Sequence, residues 1–270
     1  MTDISLAPNS GRLLDMSDKK GLVVGIANEH SLAWAAARNC HAAGADLALT
    51  YLNDKARSFV APLAQSISAS ILLPCDVARD GQLEAVFDSI AKTWGRLDFL
   101  VHAIAWAPTA DLHGRLTDCS ADGFAQAMQV SCHSFIRMAK LAEPLMTEGG
   151  SLTTLSFLGA EKVVDHYNLM GPVKAALEAS VRYLAHELGP KGIRVNAISA
   201  GAVKTRAASG IEHFDELIRE TETKSPLRRT VTADEVGRAA LLLASDQTTA
   251  ITGEILHVDA GFHVDGMIFH

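Results

Sequence analysis

The sequence of 270 residues lacks features that mark several other classes of protein. Its formal net charge is -7, so it has no overall basic surface of the kind that binds nucleic-acid phosphates. No apolar stretch approaches the roughly 20 residues that cross a bilayer. Residues 1–16 contain no hydrophobic core of an export signal. These absences favour a cytoplasmic protein and predict neither a nucleic-acid partner nor a membrane partner.

Cysteine and histidine are present without the spacing that metal sites need. The four cysteines (Cys40, Cys75, Cys119 and Cys132) form no CxxC pair, which favours reduced, partly buried thiols. The 11 histidines are scattered, with no HExxH motif. The sequence therefore predicts no metal site.

What the chain does contain is a regular alternation of short apolar runs and helix-length segments. The predicted strands are 21–25, 46–51, 70–75, 99–103, 151–156, 194–199 and 254–258. Predicted helices include 31–43, 82–94, 122–142, 168–188 and 233–244. Apolar runs without alternation are typical of strands covered on both faces. The pattern predicts an α/β fold: a single-domain Rossmann-type doubly wound parallel sheet of about seven strands, with helices on both faces.

Two segments stand apart from this alternation. We expect 1–16 to be a disordered leader, with Met16 as an alternative natural start, and 17–270 to be a dinucleotide-binding catalytic domain. Residues 202–226 are too many for an ordinary connection of about 2–6 residues between a strand and a helix. Insertions at the carboxyl ends of parallel strands usually cover a ligand. The segment 202–226 is predicted to be a substrate lid, and a peripheral helical pair without a role is the alternative.

The first strand is followed by a degenerate dinucleotide-binding motif, GIANEHSLA at 25–33. Gly25 permits a sharp turn, and Ala27 is small enough for close approach. Ser31 is placed to cap the next helix and to offer its hydroxyl to a phosphate at the positive end of that helix. An ordinary strand–turn–helix with an N-cap serine is the alternative.

The adenosine end is less distinctive. Many NAD-binding folds place an acidic residue at the end of the second strand, but this chain has Leu52 and Asn53 there. Lys55 and Arg57, which would favour a 2′-phosphate, lie slightly beyond. We expect NADH, with NADPH left open. Asp76, just past the third strand, is placed to contact adenine or to act as a plain N-cap.

A tyrosine and a lysine mark the predicted reacting end. Tyr167 and Lys174 are seven residues apart, close to two helical turns, so both side chains can project from one helix face. An ammonium beside a phenol lowers the phenol pKa and makes it a better acid. Pro172 favours a helix start or an irregular turn. A chance pairing on a shared face is the alternative.

Further motifs accompany this pair. They are Cys75-Asp76-Val77, VHAIAWAP at 101–108, LGAE at 158–161, YNLMG at 167–171, Lys174-Ala175, RVNAISAG at 194–201, AASG at 207–210 and HVDAGF at 257–262. Together with the motif at 25–33, they make the chain resemble the bacterial enoyl-acyl-carrier-protein reductases, a divergent branch of the short-chain dehydrogenase/reductase superfamily. The Tyr-x6-Lys spacing is the specific element, because ordinary members of the superfamily use Tyr-x3-Lys.

The resemblance implies NADH-dependent or NADPH-dependent reduction of trans-2-enoyl thioesters in fatty acid biosynthesis, by a homotetramer whose interfaces include the long helices and 251–270. Tyr167 is expected to donate a hydrogen bond to the thioester oxygen, and Lys174 to bind the nicotinamide ribose. Ala107 is expected to touch the substrate, which is carried on acyl carrier protein or on CoA. The implied cofactor-binding residues are Gly25, Ser31, Leu32, Leu52, Asp76, Val77, Ile104, Lys174, Val203 and Thr205.

This chain departs from the family pattern at two places. Phe157 stands where many members carry a second tyrosine, so it is expected to shape the pocket without hydrogen bonding. The lid is acidic, which disfavours an acidic carrier protein unless docking uses other bases. The lid helix is largely acidic through Glu212, Asp215, Glu216 and Glu220, with Arg219 the only base among them; the other bases are Lys204, Arg206, Arg228 and Arg229.

Two rival functions remain at this point. A 3-ketoacyl or carbonyl reductase on the same fold would place a lysine four residues after the tyrosine, where this chain has Gly171. A weakly catalytic dinucleotide-binding paralogue is favoured by Phe157 and by the acidic lid.

Overall fold

The computed structural model describes residues 14–205 and 214–265, and these form one seven-stranded parallel sheet with helices packed on it. The spatial order of the strands is β3-β2-β1-β4-β5-β6-β7. In chain order the strands are β1 Lys20–Val24, β2 Asp46–Tyr51, β3 Ile71–Pro74, β4 Phe99–His102, β5 Gly150–Ser156, β6 Ile193–Ala200 and β7 Ile255–Val258. The predicted Rossmann-type fold is confirmed.

The helices cover both faces of the sheet. They are α1 Leu32–Ala42, α2 Asp54–Ser66, α3 Gln82–Trp94, α4 Thr109–Leu112, α5 Ala121–Met128, α6 Ser134–Ala142, α7 Met170–Leu188, α8 Phe214–Lys224 and α9 Ala233–Ala244.

Successive residues of one strand face opposite sides of the sheet, and both sides are apolar. Leu22 and Val24 belong to a core cluster with side chains of α3, α6 and α7. Val23, between them, belongs to a second cluster with side chains of α1, α2 and α9. A strand buried on both faces needs apolar residues at every position, which is why these strands read as continuous apolar runs.

The predicted helix over 122–142 is interrupted. A π-type segment, Gln129–His133, separates α5 from α6. Inside this region the Ser134 hydroxyl donates to the Val130 carbonyl at 2.7 Å. Hydroxyl bonds to the helix backbone compete with the regular pattern, and π-bulges are frequent at functional sites.

Parts of the expected leader and lid lie outside the described residues. Of the leader, 1–13 lie outside, whereas Met16 is fully buried and its N–H donates to the Ala43 carbonyl at 2.8 Å. Of the lid, 206–213 lie outside, including the AASG motif, Arg206 and Glu212. The assignment of both segments therefore stays a prediction.

The strand order fixes where a ligand can bind. The chain runs outward from β1 through β2 to β3, then crosses back so that β4 lies on the other side of β1. Between β1 and β4 the helical connections diverge, which opens a crevice at the carboxyl ends of these strands.

Candidate active site

The sequence-predicted site residues collect at the carboxyl edge of the sheet. Ser31 and Leu32 begin α1, while Tyr167 and Lys174 come from the turn before α7 and from its first turns. The others directly follow strands: Gly25 after β1, Leu52 after β2, Asp76 and Val77 after β3, Ile104 and Ala107 after β4, Phe157 after β5, and Val203 and Thr205 after β6.

Gly25 makes the turn out of β1 that the sequence predicts. Its φ of +104° is a conformation that L side chains rarely adopt. A Cβ at this position would lie 2.2 Å from the carbonyl oxygen of Ala103, at the end of the neighbouring β4. Both the backbone angle and this close approach therefore require glycine.

Ser31 occupies the N-cap position of α1, but its side chain does not cap the helix. Its hydroxyl donates to the Asn28 carbonyl at 2.5 Å and lies 3.4 Å from the N–H groups of Ala27 and Asn28. The hydroxyl thus stabilises the loop, and the first N–H groups of α1 have no side-chain cap. Such a helix start is a suitable anion site, so the loop fits a pyrophosphate.

The predicted adenosine-binding residues lie at the ends of β2 and β3. Leu52 is exposed beside Asn53, whose side chain caps α2 by accepting from Ala56 N–H at 3.0 Å. The Asp76 carboxylate accepts from Ala78 N–H at 3.0 Å in a local turn. The N-cap alternative for Asp76 is wrong, because α3 begins only at Gln82.

Sequence reasoning missed the residue that holds the loop after β4. Ser131, buried in the π-type segment, accepts from the Trp106 N–H and donates to the Trp106 carbonyl, both at 2.8 Å. Trp106 directly precedes Ala107, the predicted substrate contact. The π-type segment therefore positions this loop, a contact across 25 residues that no local pattern signals.

His102, the last residue of β4, is a fully buried polar group beside this region. Its Nε2 lies 2.8 Å from the Ser134 hydroxyl, and its Nδ1 lies 2.8 Å from the Thr154 hydroxyl. Since Ser134 gives its proton to Val130, it must accept from Nε2–H. Burial, followed by the charge of Lys174, lowers the pKa of His102 to about 3, so the ring is neutral.

The predicted reacting groups, on α7 and in the turn before it, lie against the end of β5. Lys174 Nζ donates to the Leu155 carbonyl at 2.6 Å, and the Ser156 hydroxyl donates to Glu178 Oε1. The rings of Phe157 and Tyr167 lie 4.7 Å apart, tilted by 55°. Glu178 was not predicted, although its position four residues after Lys174, in an otherwise apolar helix face, is a usable signal.

The prediction that Tyr167 and Lys174 share one helix face is wrong in its geometry. The helix α7 begins at Met170, so Tyr167 lies in the turn before it. Asn168 has a positive φ of +36°, which a helical residue does not adopt. Pro172 is the third residue of α7, a position near a helix start where proline is tolerated.

The electrostatic prediction for Tyr167 is also wrong. Burial, with the charge of Glu178 as a second cause, raises the pKa of Tyr167 above its ordinary value. Burial lowers the pKa of Lys174 to about 8, and the charges of Glu178 and Cys132 oppose this. Both groups are almost fully buried. At neutral pH the phenol therefore keeps its proton and is available as a neutral hydrogen-bond donor.

Two ion pairs join charged side chains within the described part of the predicted lid. Lys204 forms an ion pair of 2.9 Å with Asp215, and Lys224 forms one of 2.5 Å with Glu220. An open cleft lies between the start of α1 and α8, with Glu29, Val203, Lys204 and Ile218 among its lining residues. The described part of the predicted lid therefore borders the loop between β1 and α1.

Two absences apply to 14–205 and 214–265. Within these ranges, no group of three or more His, Cys, Asp or Glu side chains is arranged to hold a metal ion. Across the same ranges, no helix has the length and apolar character needed to cross a membrane.

Comparison with known proteins identifies close relatives. A family model described as enoyl-(acyl carrier protein) reductase matches residues 25–263. The NADH-dependent enoyl-acyl-carrier-protein reductase 1 of Rhizobium meliloti is 49% identical over 252 residues, which is 93% of each chain. The corresponding Escherichia coli enzyme is 44% identical over 253 residues, covering 93% of this chain and 97% of that one.

Solved structures agree with these relatives. The Anaplasma phagocytophilum enoyl-acyl-carrier-protein reductase in complex with NAD has a TM-score of 0.90 and 52% identity, over 93% of this chain and 96% of that one. The Bacillus cereus reductase with NADP+ and indole naphthyridinone has a TM-score of 0.91 and 46% identity, over 93% of this chain and 99% of that one.

Proposed function

The chain belongs to the enoyl-acyl-carrier-protein reductase family, and we propose that it reduces the C2=C3 double bond of trans-2-enoyl thioesters in fatty acid biosynthesis. NADH, when bound, would supply the hydride that adds to C3, and a proton from solvent would add to C2 to complete the reduction. The observation that carries the proposal is the buried Tyr167 phenol, whose ring packs on Phe157 at the end of β5, where Lys174 donates to the Leu155 carbonyl.

Tyr167 acts as the hydrogen-bond donor to the thioester oxygen. Hydride addition at C3 moves negative charge onto that oxygen as the enolate forms. A neutral donor aimed at the developing charge stabilises the transition state more than the ground state. The raised pKa of Tyr167 keeps its proton in place for this role.

Lys174 binds the nicotinamide ribose. Its ammonium has three N–H donors, and one of them is directed to the Leu155 carbonyl. The remaining donors suit two vicinal ribose hydroxyls. This hydrogen bond to β5 also fixes the ammonium before the cofactor binds, which reduces the entropy lost on binding.

The cofactor lies along the carboxyl edge between β1 and β4. The start of α1, whose first N–H groups have no side-chain cap, suits the pyrophosphate. The proposed neighbours on the nicotinamide side are Ile104, Val203 and Thr205. Leu52, Asp76 and Val77 surround the adenosine. No acidic or basic side chain stands at the Leu52 position, and we propose NADH as the main cofactor, with NADPH as the alternative that the assay must compare.

Phe157 and Ala107 shape the substrate side. Because Phe157 has no hydroxyl, it contributes apolar contact with the Tyr167 ring and leaves Tyr167 as the only phenol of the proposed site. The segment 202–226 is the proposed lid that closes over the acyl chain and excludes water. The substrate is carried on acyl carrier protein or on CoA, in a cytoplasmic homotetramer with 251–270 in its interfaces.

The decisive experiment is a steady-state panel that crosses NADH and NADPH with enoyl thioesters on CoA and on acyl carrier protein. We expect crotonyl and longer trans-2-enoyl thioesters to be reduced, and NADH to give the higher kcat/KM. Activity on acetoacetyl thioesters alone would assign a 3-ketoacyl reductase. Tight NADH binding without reduction of any carrier or chain length would assign a regulatory paralogue.

A further inference from the structure

Three consecutive residues at the end of β5 contact three functional side chains of the following segment. The Leu155 carbonyl receives the Lys174 ammonium, and the Phe157 ring packs on Tyr167. Between them, the Ser156 hydroxyl donates to Glu178. Two of these three contacts involve the groups proposed to react, and the third involves a carboxylate to which the proposed reaction assigns no role.

Glu178 is placed where a carboxylate is costly. Its side chain is 5% exposed, and burying an ionised carboxylate without compensation is strongly unfavourable. Burial raises its pKa, and the hydrogen bond from Ser156 opposes that rise. Glu178 follows Lys174 by one helical turn and therefore lies on the same side of α7. A buried carboxylate with a dedicated donor, one helical turn from a buried ammonium, indicates a specific role.

The charge of Glu178 acts on both reacting groups in the same direction. It raises the pKa of Lys174 against the effect of burial, and it raises the pKa of Tyr167. Both effects keep protons on these groups. This matters because burial lowers the pKa of Lys174 to about 8 even though the charge of Glu178 opposes the shift, and a neutral amine would donate one hydrogen bond fewer.

We propose that Glu178, held by the Ser156 hydroxyl, is a positioning residue that fixes α7 on the end of β5 and supplies the negative charge faced by Lys174 and Tyr167. Its kinetic consequence rests on the enoyl reduction proposed above. Neither the hydrogen bond nor the electrostatic coupling requires a bound cofactor, so the coupling is also measurable without turnover.

Other titratable groups face this cluster and define the controls. Lys174 also faces Cys132 on the π-type segment and His102 on β4. The groups that face Glu178 are Glu161 after β5, Arg182 on α7 and His257 on β7. A test must therefore change Glu178 while leaving these groups intact, and must compare it with the same chemical change elsewhere on α7.

The first test is Glu178→Gln, which removes the charge but keeps an oxygen that accepts from Ser156. Titration of the lysine Cε signals by ¹³C NMR, without cofactor, should show the Lys174 midpoint at lower pH than in the wild-type protein. The alkaline fall of the kcat/KM profile should shift to lower pH by the same amount. We expect kcat/KM about tenfold below wild type at pH 9 and within about twofold at pH 6.5. The exposed Glu187 of α7 supplies the matched control, Glu187→Gln, which should change neither curve.

A folded Glu178→Gln protein with the wild-type Lys174 midpoint and the wild-type alkaline fall of kcat/KM overturns the proposal. A purely structural role would instead lower activity equally at all pH values and leave the midpoint unchanged. If Glu178→Gln does not fold, Lys174→Met replaces it, since coupling between two sites is reciprocal. In that variant the ¹³C carboxyl titration of Glu178 should move to higher pH, and an unchanged titration is equally decisive against the proposal.

These readouts separate this inference from the proposed function. An absence of enoyl reduction in the wild-type protein would overturn the function, while the two NMR titrations would still measure the coupling. If the wild-type protein reduces enoyl thioesters but the titrations of Lys174 and Glu178 do not depend on each other, only the role of Glu178 is overturned.

Discussion

The two ends of the proposed cofactor crevice are built differently. At the phosphate end, the geometry is set by the backbone: a left-handed Gly25, a loop closed by Ser31 and the uncapped start of α1. At the reacting end, it is set by buried polar side chains, with Lys174 and Glu178 bonded to consecutive residues of β5. A backbone site tolerates side-chain variation, so a degenerate glycine motif is compatible with the proposed pyrophosphate site.

This difference predicts which kinetic or binding constant a variant at each end should change. Loss of the Tyr167 hydroxyl should lower kcat, because its proposed hydrogen bond stabilises charge that forms in the transition state. Changes at the phosphate end should act on cofactor affinity and on stability, because the backbone that carries the site must be displaced.

The largest effect is expected for Tyr167→Phe. It removes the proposed donor to the enolate oxygen and keeps the ring that packs on Phe157. We expect kcat to fall by about 10²–10³, as for the loss of one oxyanion donor. The measurements are steady-state kinetics and NADH binding by fluorescence, and the Kd of NADH should stay within about twofold.

Tyr183→Phe is the matched control for this change, since Tyr183 is 80% exposed on α7. It should leave both kcat and the Kd of NADH unchanged. A Tyr167→Phe enzyme whose KM rises while kcat persists would assign Tyr167 to substrate binding rather than to transition-state stabilisation.

The second largest effect is expected at the phosphate end, where Gly25→Ala should lower stability and cofactor affinity more than Gly81→Ala does. Both glycines have positive φ, but a Cβ at Gly81 would meet nothing within 4 Å, whereas at Gly25 it would collide with the Ala103 carbonyl. Gly81→Ala should cost about 1–2 kcal/mol of unfolding free energy from backbone strain alone. Gly25→Ala should cost more than this and should raise the Kd of NADH about tenfold or more.

Urea unfolding and NADH titration measure the two quantities. Equal losses of stability in the two variants would mean that the loop moves away from Ala103 without cost. The backbone description of the phosphate end would then be wrong.

Features set by the local backbone were predictable from the sequence, whereas features set by buried polar side chains were not. The turn at Gly25 was predictable because few residues adopt that conformation, and the bounds of α3 and α9 were predictable from the apolar pattern. The spacing of Tyr167 and Lys174 predicts a reacting pair, which stays a prediction, but it did not predict the start of α7 at Met170.

The remaining features depend on burial and on distant contacts, which a sequence pattern does not contain. The pKa of Tyr167 is raised rather than lowered because the phenol is buried and faces Glu178. Ser131 reaches a residue 25 positions away, and Ser156 reaches one 22 positions away. The polar groups that position the reacting end become visible only once β4, β5 and α7 are packed together.

The third and smallest effect is expected for His102, whose burial should reduce the free energy of unfolding in acid. His102 has a folded-state pKa of about 3, below its ordinary value near 6.5. Between these values the unfolded chain binds a proton that the folded protein does not, so stability falls as pH falls through this window, by up to about 1.4 kcal/mol per pH unit. His102→Gln should remove this slope, whereas His30→Gln, exposed at the phosphate end, should retain it. Urea unfolding between pH 6.5 and 4 measures both slopes, and an unchanged slope in His102→Gln would place the acid-sensitive group elsewhere.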